Sequence, residues 1–217
     1  METCERRVPR VADFTLDGGG TAAAWRQAAW TPLTRVNGDA PYATRAKVLA
    51  SNAGVYFLVE CDDQRLTCTI TGDSQNIFTE DVVEVFLWPD QRRDLYFEYE
   101  ISPLNAELCI LVPNHGGRFH GWLPWHYEGE RRTRHATSVR GGPHQALATV
   151  TGWTAEFFIP FALLVPLENT PPAPGARWRA NLYRIDYDTG AATQWAWCPH
   201  TGANFHAFRQ FGTFIFD

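Results

Sequence analysis

Apolar and polar residues alternate with a period of two in short runs along most of the chain. This alternation is typical of β-strands with one buried face, and no stretch of helical length keeps apolar residues at i, i+3 and i+4. The sequence therefore predicts an all-β fold. The predicted strands cover residues 44–50, 55–61, 66–70, 82–88, 95–101, 107–112, 146–151, 154–159, 177–187, 194–197 and 213–216.

Three segments depart from this alternation. Residues 114–142 are rich in Gly, His, Arg and Trp without a period, and they predict a long loop that carries a short strand. Pro160 cannot donate to a strand ladder, so it ends the strand before it, and residues 161–164 are expected to form one helical turn. Residues 21–29 are expected to form a second short helix.

Length and composition favour one soluble domain spanning residues 1–217. The chain has 45% apolar and 20% charged residues, which is enough apolar material for a core and too little charge for disorder. Domains of β-sandwich or barrel type often reach this length. Five cysteines without a CxxC spacing predict buried free thiols rather than a disulfide framework.

Charge and hydropathy exclude two classes of partner. The net charge is -5 and no basic stripe is present, so we expect no nucleic-acid binding. No run approaches the ~18 consecutive apolar residues of a membrane span, so we expect no membrane insertion. The first residues lack the apolar core of an export signal, so the expected location is cytoplasmic unless a leader segment has been removed.

Aromatic residues and carboxylates supply the candidate chemistry. Nine Trp, fourteen Phe and seven Tyr make up 14% of the chain, and because Trp is rarely fully buried, several should reach the surface or a groove. Period two places Glu84 on one face of its strand and Glu98 with Glu100 on one face of the next. This carboxylate-bearing face has three interpretations: solvated strand surface, the polar floor of a sugar groove, or the acid and base or nucleophile of a glycosidase.

Motifs of other enzymes and of metal sites are absent from the sequence. The seven histidines show no HExxH spacing, and no GxSxG or GxxxxGK[ST] motif occurs. Asp186 and Asp188 precede Gly190 in a way that faintly resembles a calcium loop, but later ligands are missing and a turn is expected. The histidines are expected to be ordinary surface residues.

Two tryptophans near the C-terminus fall on the same face of one predicted strand. For Trp195, a position in the core and a position in a groove are equally consistent with the sequence. Trp197 is next to the loop that begins with Pro199. Flat apolar sugar faces stack on indole rings while the hydroxyls seek polar partners. Trp197 is therefore the better candidate for a ligand platform.

Nearly the whole chain resembles the family 9 carbohydrate-binding modules. No single motif decides this, but the order and spacing of several segments do. The segments that carry the resemblance are Leu16-Asp-Gly with Trp25, residues 46–48, 54–63, 78–86, 96–105, 153–161, 175–186 and the run from Trp197 to Phe211-Gly212.

The resemblance implies a two-sheet antiparallel β-sandwich with one or two short helical turns, which binds sugar and has no catalytic residues. Family members hold a terminal sugar unit between two tryptophans, and Trp197 matches one of these positions while Phe78 stands at the other. Trp122 or Trp125 could replace the smaller ring. Glu84 and Glu98 match polar contact positions, and Asn181 matches a strand asparagine. The ligand-binding residues implied are Phe78, Glu84, Glu98, Asn181, Trp197, Trp122 and Trp125.

The implied partner is a mono- or oligosaccharide, or the end of a polysaccharide chain. No cofactor is expected, although a structural calcium ion occurs in some members, with ligands here unassigned. Two alternatives stay open: a glycoside hydrolase that uses paired carboxylates, and an interaction domain that has lost sugar binding. The oligomeric state is not indicated.

Overall fold

The computed structural model describes residues 4–201 and 204–217 and contains fourteen strands in that part of the chain. The predicted all-β class is confirmed. The strands are β1 (Glu5–Val8), β2 (Thr31–Pro32), β3 (Thr34–Asn37), β4 (Thr44–Ala50), β5 (Gly54–Asp62), β6 (Val82–Trp88), β7 (Leu95–Ile101), β8 (Glu107–Pro113), β9 (Leu123–Pro124), β10 (Arg134–Arg140), β11 (Gly152–Pro160), β12 (Arg177–Asp186), β13 (Thr193–Ala196) and β14 (Gly212–Phe216).

Helical structure is short, as expected. One α-helix, α1 (Phe161–Leu164), follows Pro160 directly, and a 3-10 helix covers Ala23–Gln27. The other 3-10 helices of the described chain are Ile77–Thr79, His115–Gly117, Gly129–Arg131, Val165–Leu167 and Phe208–Gln210. No helix of the described residues has the length and apolar character needed to cross a membrane.

The strands form two sheets. One has nine strands in the order β1-β14-β12-β6-β7-β8-β9, with β13 pairing to both β12 and β3, and the other has five in the order β10-β11-β5-β4-β2. The parallel pair β1–β14 is the exception to antiparallel pairing among the described strands. The two sheets form the predicted sandwich.

Two predicted strands are wrong. Residues 66–70 and 146–151 meet at Leu66, but the pairing stays at an isolated bridge between Arg65 and Thr149 and does not extend into a strand ladder. The Glu80 carboxylate accepts hydrogen bonds from the backbone N–H groups of Thr69 and Ile70, which removes these donors from a strand ladder. The long loop also holds more structure than expected, since β10 lies within it.

The core between the sheets is rich in aromatic rings. Phe157 of β11 stacks on Phe57 of β5 at 5.1 Å and on Tyr99 of β7 at 4.6 Å, so it joins the two sheets. Trp153, Trp178 and Trp195 are fully buried in the same cluster. Cys61, Cys68, Cys109 and Cys198 are buried thiols outside any disulfide, as predicted.

A second apolar cluster covers the outer face of the nine-stranded sheet. Phe86, Tyr96 and Tyr183 project from β6, β7 and β12, and Phe205 and Phe211 from the segment after β13 pack on them. Phe205 stacks on Tyr183 at 4.0 Å. The segment after β13 therefore turns a sheet face that would otherwise meet water into a largely enclosed surface.

Candidate functional site

Three carboxylates lie on this outer face, where β6 and β7 pair. Glu84 lies directly opposite Glu100, and Phe86 lies opposite Glu98. The predicted carboxylate-bearing face is therefore present. It is not a solvated strand surface, because Glu84, Glu98 and Glu100 are only 3%, 4% and 1% exposed.

The three carboxylates form part of the floor of a groove with a volume of about 230 Å³. This is below the ~300–1,000 Å³ of pockets for drug-sized ligands, so the groove suits one small unit. Its lining residues are Phe78, Glu84, Phe86, Glu98, Glu100, Ile110, Phe119, Trp122, Ile185, Gln194, Asn204, Phe205 and His206.

Aromatic side chains from three separate loops surround the floor. Phe119 and Trp122 lie between β8 and β9 and are 44% and 37% exposed. The ring of Phe119 stacks on His206 at 4.1 Å, with 21° between the planes. Phe78, in the turn that leads into β6, is half-buried, and its carbonyl oxygen accepts a hydrogen bond from the Tyr187 hydroxyl. The groove thus combines open aromatic faces with a polar floor.

The floor carboxyls have unusual electrostatics. Burial, and after it the charge of a neighbouring glutamate, raises the pKa of Glu84, Glu98 and Glu100 well above the usual range. By strict hydrogen-bond geometry, Oε2 of Glu98 and both carboxyl oxygens of Glu100 have no partner among the described residues, although Glu98 and Glu100 contact each other and the backbone N–H of Phe78 approaches the Glu100 carboxyl. Buried polar atoms without partners are rare in proteins and point to a missing group or a function.

His206 does not neutralise these carboxyls. Its Nδ1 shares a 2.6 Å hydrogen bond with the Tyr96 hydroxyl and lies 3.8 Å from Oε2 of Glu98. Burial lowers the pKa of His206 to about 4, so the ring is neutral at physiological pH. The lining residues that the structure describes include no Lys or Arg.

Four of the predicted ligand-binding residues meet in this groove: Phe78, Glu84, Glu98 and Trp122. The sequence also placed Glu100 on the carboxylate face without assigning it a contact. Phe119, Phe205 and His206 were not singled out as ligand residues. Phe205 and His206 lie within a segment that carried the family resemblance, but Phe119 lies in an irregular loop whose path no periodicity indicates.

Trp197 requires a correction. The residue does not line the groove; it is 8% exposed and belongs to the core between the sheets, where its indole stacks on Phe214 at 5.2 Å. Its backbone N–H also continues the strand pairing, by donating to the carbonyl oxygen of Leu182. Proximity to a loop did not bring the ring to the surface, so Trp197 is a core residue in this position.

Asn181 on β12 lies opposite Phe86 but does not line the groove. It is fully buried, and its Nδ2 donates to the Tyr183 hydroxyl and to the carbonyl oxygen of Cys198. Its Oδ1 accepts the backbone N–H groups of Leu182 and Cys198. With donors and acceptor occupied in this way, Asn181 fixes the segment that follows β13.

Trp125 lines a different groove, together with Tyr127, Arg131 and Leu163. Its indole N–H donates to the carbonyl oxygen of Leu163 at 3.0 Å, and its ring meets Tyr127 edge to face at 4.8 Å. Trp125 is therefore not close enough to the carboxylate floor to replace the ring at Phe78.

A second acidic cluster lies apart from the groove lining. Asp63, Asp81, Asp186 and Asp188 each place a carboxylate oxygen within 4.8 Å of the others, and the first three are buried. Arg184 is fully buried beside them, with Nη2 at 2.7 Å from Asp186 Oδ2 and 3.2 Å from Asp63 Oδ2. Burial raises the pKa of Asp81 to about 8 and that of Asp63 to about 7. The Arg184 guanidinium thus pairs with two of the four carboxyl groups.

Comparison with known proteins gives a consistent result. The family model for the carbohydrate family 9 binding domain-like family matches residues 16–217. No curated protein matches the sequence at a significant level.

Several solved structures share the fold. A protein from Bacteroides uniformis, described as a candidate carbohydrate-binding protein, superposes with a TM-score of 0.78 at 16% identity over 100% of both chains. A family 9 carbohydrate-binding module from Caldicellulosiruptor kristjanssonii in complex with cellotriose gives a TM-score of 0.66 at 15% identity, over 97% of this chain and 93% of that one. The same kind of module from that organism in complex with glucose gives 0.67 at 15% identity, over 98% and 95%.

Proposed function

The chain belongs to the carbohydrate family 9 binding domain-like family, and on this premise we propose that its groove binds a terminal sugar unit without catalysis. The observation that carries the proposal is the pair of exposed aromatic side chains, Phe119 and Trp122, beside a buried polar floor. Solvent-exposed rings next to convergent polar groups are the usual composition of a small-molecule site.

In this site, stacking on the rings would supply contact area and hydrogen bonds would recognise the sugar hydroxyls. The apolar face of a pyranose ring fits an aromatic face, so Phe119, Trp122 and Phe78 supply the contact area. Gln194 and Asn204 at the groove wall, with Glu84 on the floor, supply donors and acceptors for hydroxyl groups. The volume of about 230 Å³ favours a monosaccharide or the last unit of a chain rather than a polymer segment.

The carboxylates are poorly arranged for glycoside hydrolysis. A glycosidase needs two carboxyl groups that flank the scissile bond, one of which reaches the leaving oxygen. Here the three carboxyls stand side by side on β6 and β7 of one sheet, so all of them would approach a sugar in the groove from the same side. We therefore propose that they bind and do not catalyse.

The experiment for this proposal has two arms. The purified protein is screened on a broad glycan array, and each hit is measured by calorimetry, while polysaccharides are incubated with it and assayed for reducing ends. We expect sugar binding and no release of reducing sugar. Absence of binding to every sugar would favour an interaction domain that has lost this activity. Release of reducing sugar that Glu84→Gln stops would establish the hydrolase instead.

We also propose that the second acidic cluster holds a calcium ion. Carboxylate oxygens are the ligands that Ca²⁺ prefers, and Asp63, Asp81, Asp186 and Asp188 offer four within 4.8 Å of one another. Arg184 pairs with Asp63 and Asp186, and a divalent ion that displaces the protons of the cluster would balance the remaining carboxylates. The ion would have a structural role, since both oxygens of Asp81 already accept backbone N–H groups, from Thr67 and Tyr187.

A further inference from the structure

We infer that the sugar unit held in this groove carries a free amine, and that its ammonium group pairs with the carboxyls of Glu98 and Glu100. This inference rests on the proposed sugar-binding function and specifies the chemical class of its ligand. It follows from the acidic lining without a Lys or Arg among the described residues and from the unpartnered carboxyl oxygens on the groove floor.

The charge of the lining is one-sided. Glu84, Glu98 and Glu100 are the acidic groups, and the described lining residues offer no Lys or Arg to balance them. His206 is committed to the Tyr96 hydroxyl, and its lowered pKa keeps it neutral. An anionic ligand such as a uronic acid or a sugar phosphate would meet no cationic side chain here and would oppose ionisation of the floor carboxyls, whereas a cationic ligand would stabilise their ionised form.

The unpartnered atoms define where the cation would lie. Oε2 of Glu98 and both oxygens of Glu100 are buried without a regular hydrogen bond among the described residues. An ammonium group has three N–H donors and no acceptor, so one such group can satisfy several carboxyl oxygens at once. A neutral hydroxyl can donate only one hydrogen bond and leaves most of the acceptors unpaired.

A bare metal ion is a poorer match to this floor. Among the described residues, a metal site would need three or more ligand atoms within 4.8 Å of one another. The four aspartates of the other cluster meet this condition, and the three glutamates do not. The aromatic rings beside the floor, Phe86 and Phe119, would also contact the carbon skeleton of an organic cation. An amino sugar satisfies the carboxyls and the rings together.

Binding of such a ligand has a measurable proton balance. The floor carboxyls of the free protein are held in the protonated form by burial and by one another. When an ammonium group arrives, one carboxyl ionises, the new ion pair forms, and a proton leaves to the buffer. The calorimetric enthalpy of binding an amino sugar should therefore change with the ionisation enthalpy of the buffer, whereas that of a neutral sugar should not.

The test compares three probes by calorimetry: glucosamine, N-acetylglucosamine and glucose. At about pH 6, below the ~8 typical of an α-amino group, glucosamine is cationic while the other two are neutral. We expect glucosamine to bind at least about tenfold more tightly than either, in line with the strength of charge-assisted hydrogen bonds. A chitosan oligosaccharide and free glucosamine then distinguish a chain end from a monosaccharide as the source of the amine.

Matched variants assign the preference to the floor. Glu100→Gln keeps the shape of a floor side chain to which no contact with a neutral sugar is assigned, and it should reduce the preference for glucosamine and the proton release, while glucose binding persists. Glu130→Gln, an exposed glutamate outside this groove, should change neither. Equal or tighter binding of the neutral sugars by the wild-type protein would overturn the inference but leave the sugar-binding function standing. Failure to bind any sugar would overturn both.

Discussion

Glu84 of β6 and Glu100 of β7 lie directly opposite each other across an antiparallel strand pair, and both are almost completely buried. Like charges in this position destabilise a sheet. The two side chains can coexist in the folded protein because the pKa of each is raised, so that the carboxyls keep their protons. Burial is the larger cause for both, followed by the charge of Glu100 for Glu84 and the charge of Glu98 for Glu100. This pair makes the floor of the groove sensitive to pH and to the charge of a ligand.

The pH dependence of stability follows from this pair. The pKa of Glu100 is higher in the folded state than in the unfolded state, so above the usual glutamate pKa the folded state holds more protons. The free energy of unfolding should therefore fall as the pH rises above the ordinary glutamate pKa of about 4.3, by up to about 1.4 kcal/mol per pH unit for each such group. Chemical denaturation at several pH values measures it.

The variant Glu100→Gln measures how much this floor carboxyl contributes to the pH dependence of stability. The variant removes a buried carboxyl without changing its shape, and should be more stable than the wild type at pH 8, with a weaker dependence on pH. The control is Glu130→Gln, whose side chain is exposed and whose pH dependence should equal that of the wild type. A Glu100→Gln variant that loses stability at pH 8 would show that the charged form of Glu100 is the one the fold requires.

Trp197 should affect stability rather than recognition. Because its indole is buried on Phe214, Trp197→Ala should lower the free energy of unfolding by about 3–5 kcal/mol. The milder Trp197→Phe variant stays folded and should bind sugar with the affinity of the wild type. A Trp197→Phe protein with wild-type stability and no sugar binding would instead place this ring in the site.

Calcium should stabilise the protein through the aspartate cluster. Added Ca²⁺ should raise the melting temperature, since a ligand at 100 times its Kd stabilises by about 2.7 kcal/mol, and a chelator should reverse the effect. Asp81→Asn should remove the response, whereas Asp39→Asn, an exposed aspartate outside the cluster, should retain it. No shift with calcium in the wild type would mean that Arg184 and protonation alone balance the cluster.

The sequence predicted the strands of the site better than its rings. The bounds of β6 and β7 follow from uninterrupted alternation, which fixes the face of every residue on them, including the three glutamates. The depth at which these glutamates are buried depends on Phe205 and His206, which a loop distant in sequence brings onto the sheet. The two-residue periodicity of β6 and β7 does not predict that the segment after β13 folds over them.

The choice between Trp197 and Phe119 as an exposed ring illustrates the same limit. Both lie next to irregular segments, and their local sequences do not separate a ring that points between the sheets from one that points outward. The path of the chain after β13 turns Trp197 inward, and the loop between β8 and β9 carries Phe119 to the surface. Only tertiary packing distinguishes the two.

The central claim, that exposed aromatic rings beside a buried carboxyl floor hold a sugar, is tested most directly by calorimetric titration of the best glycan-array hit into matched variants. Phe119→Ala and Trp122→Ala should each weaken binding by about tenfold, because each removes a stacking surface worth about 1 kcal/mol or more. Leu123→Ala, which truncates an exposed side chain at the start of β9 outside the groove, should bind as the wild type does. Wild-type affinity in both aromatic variants would contradict the account.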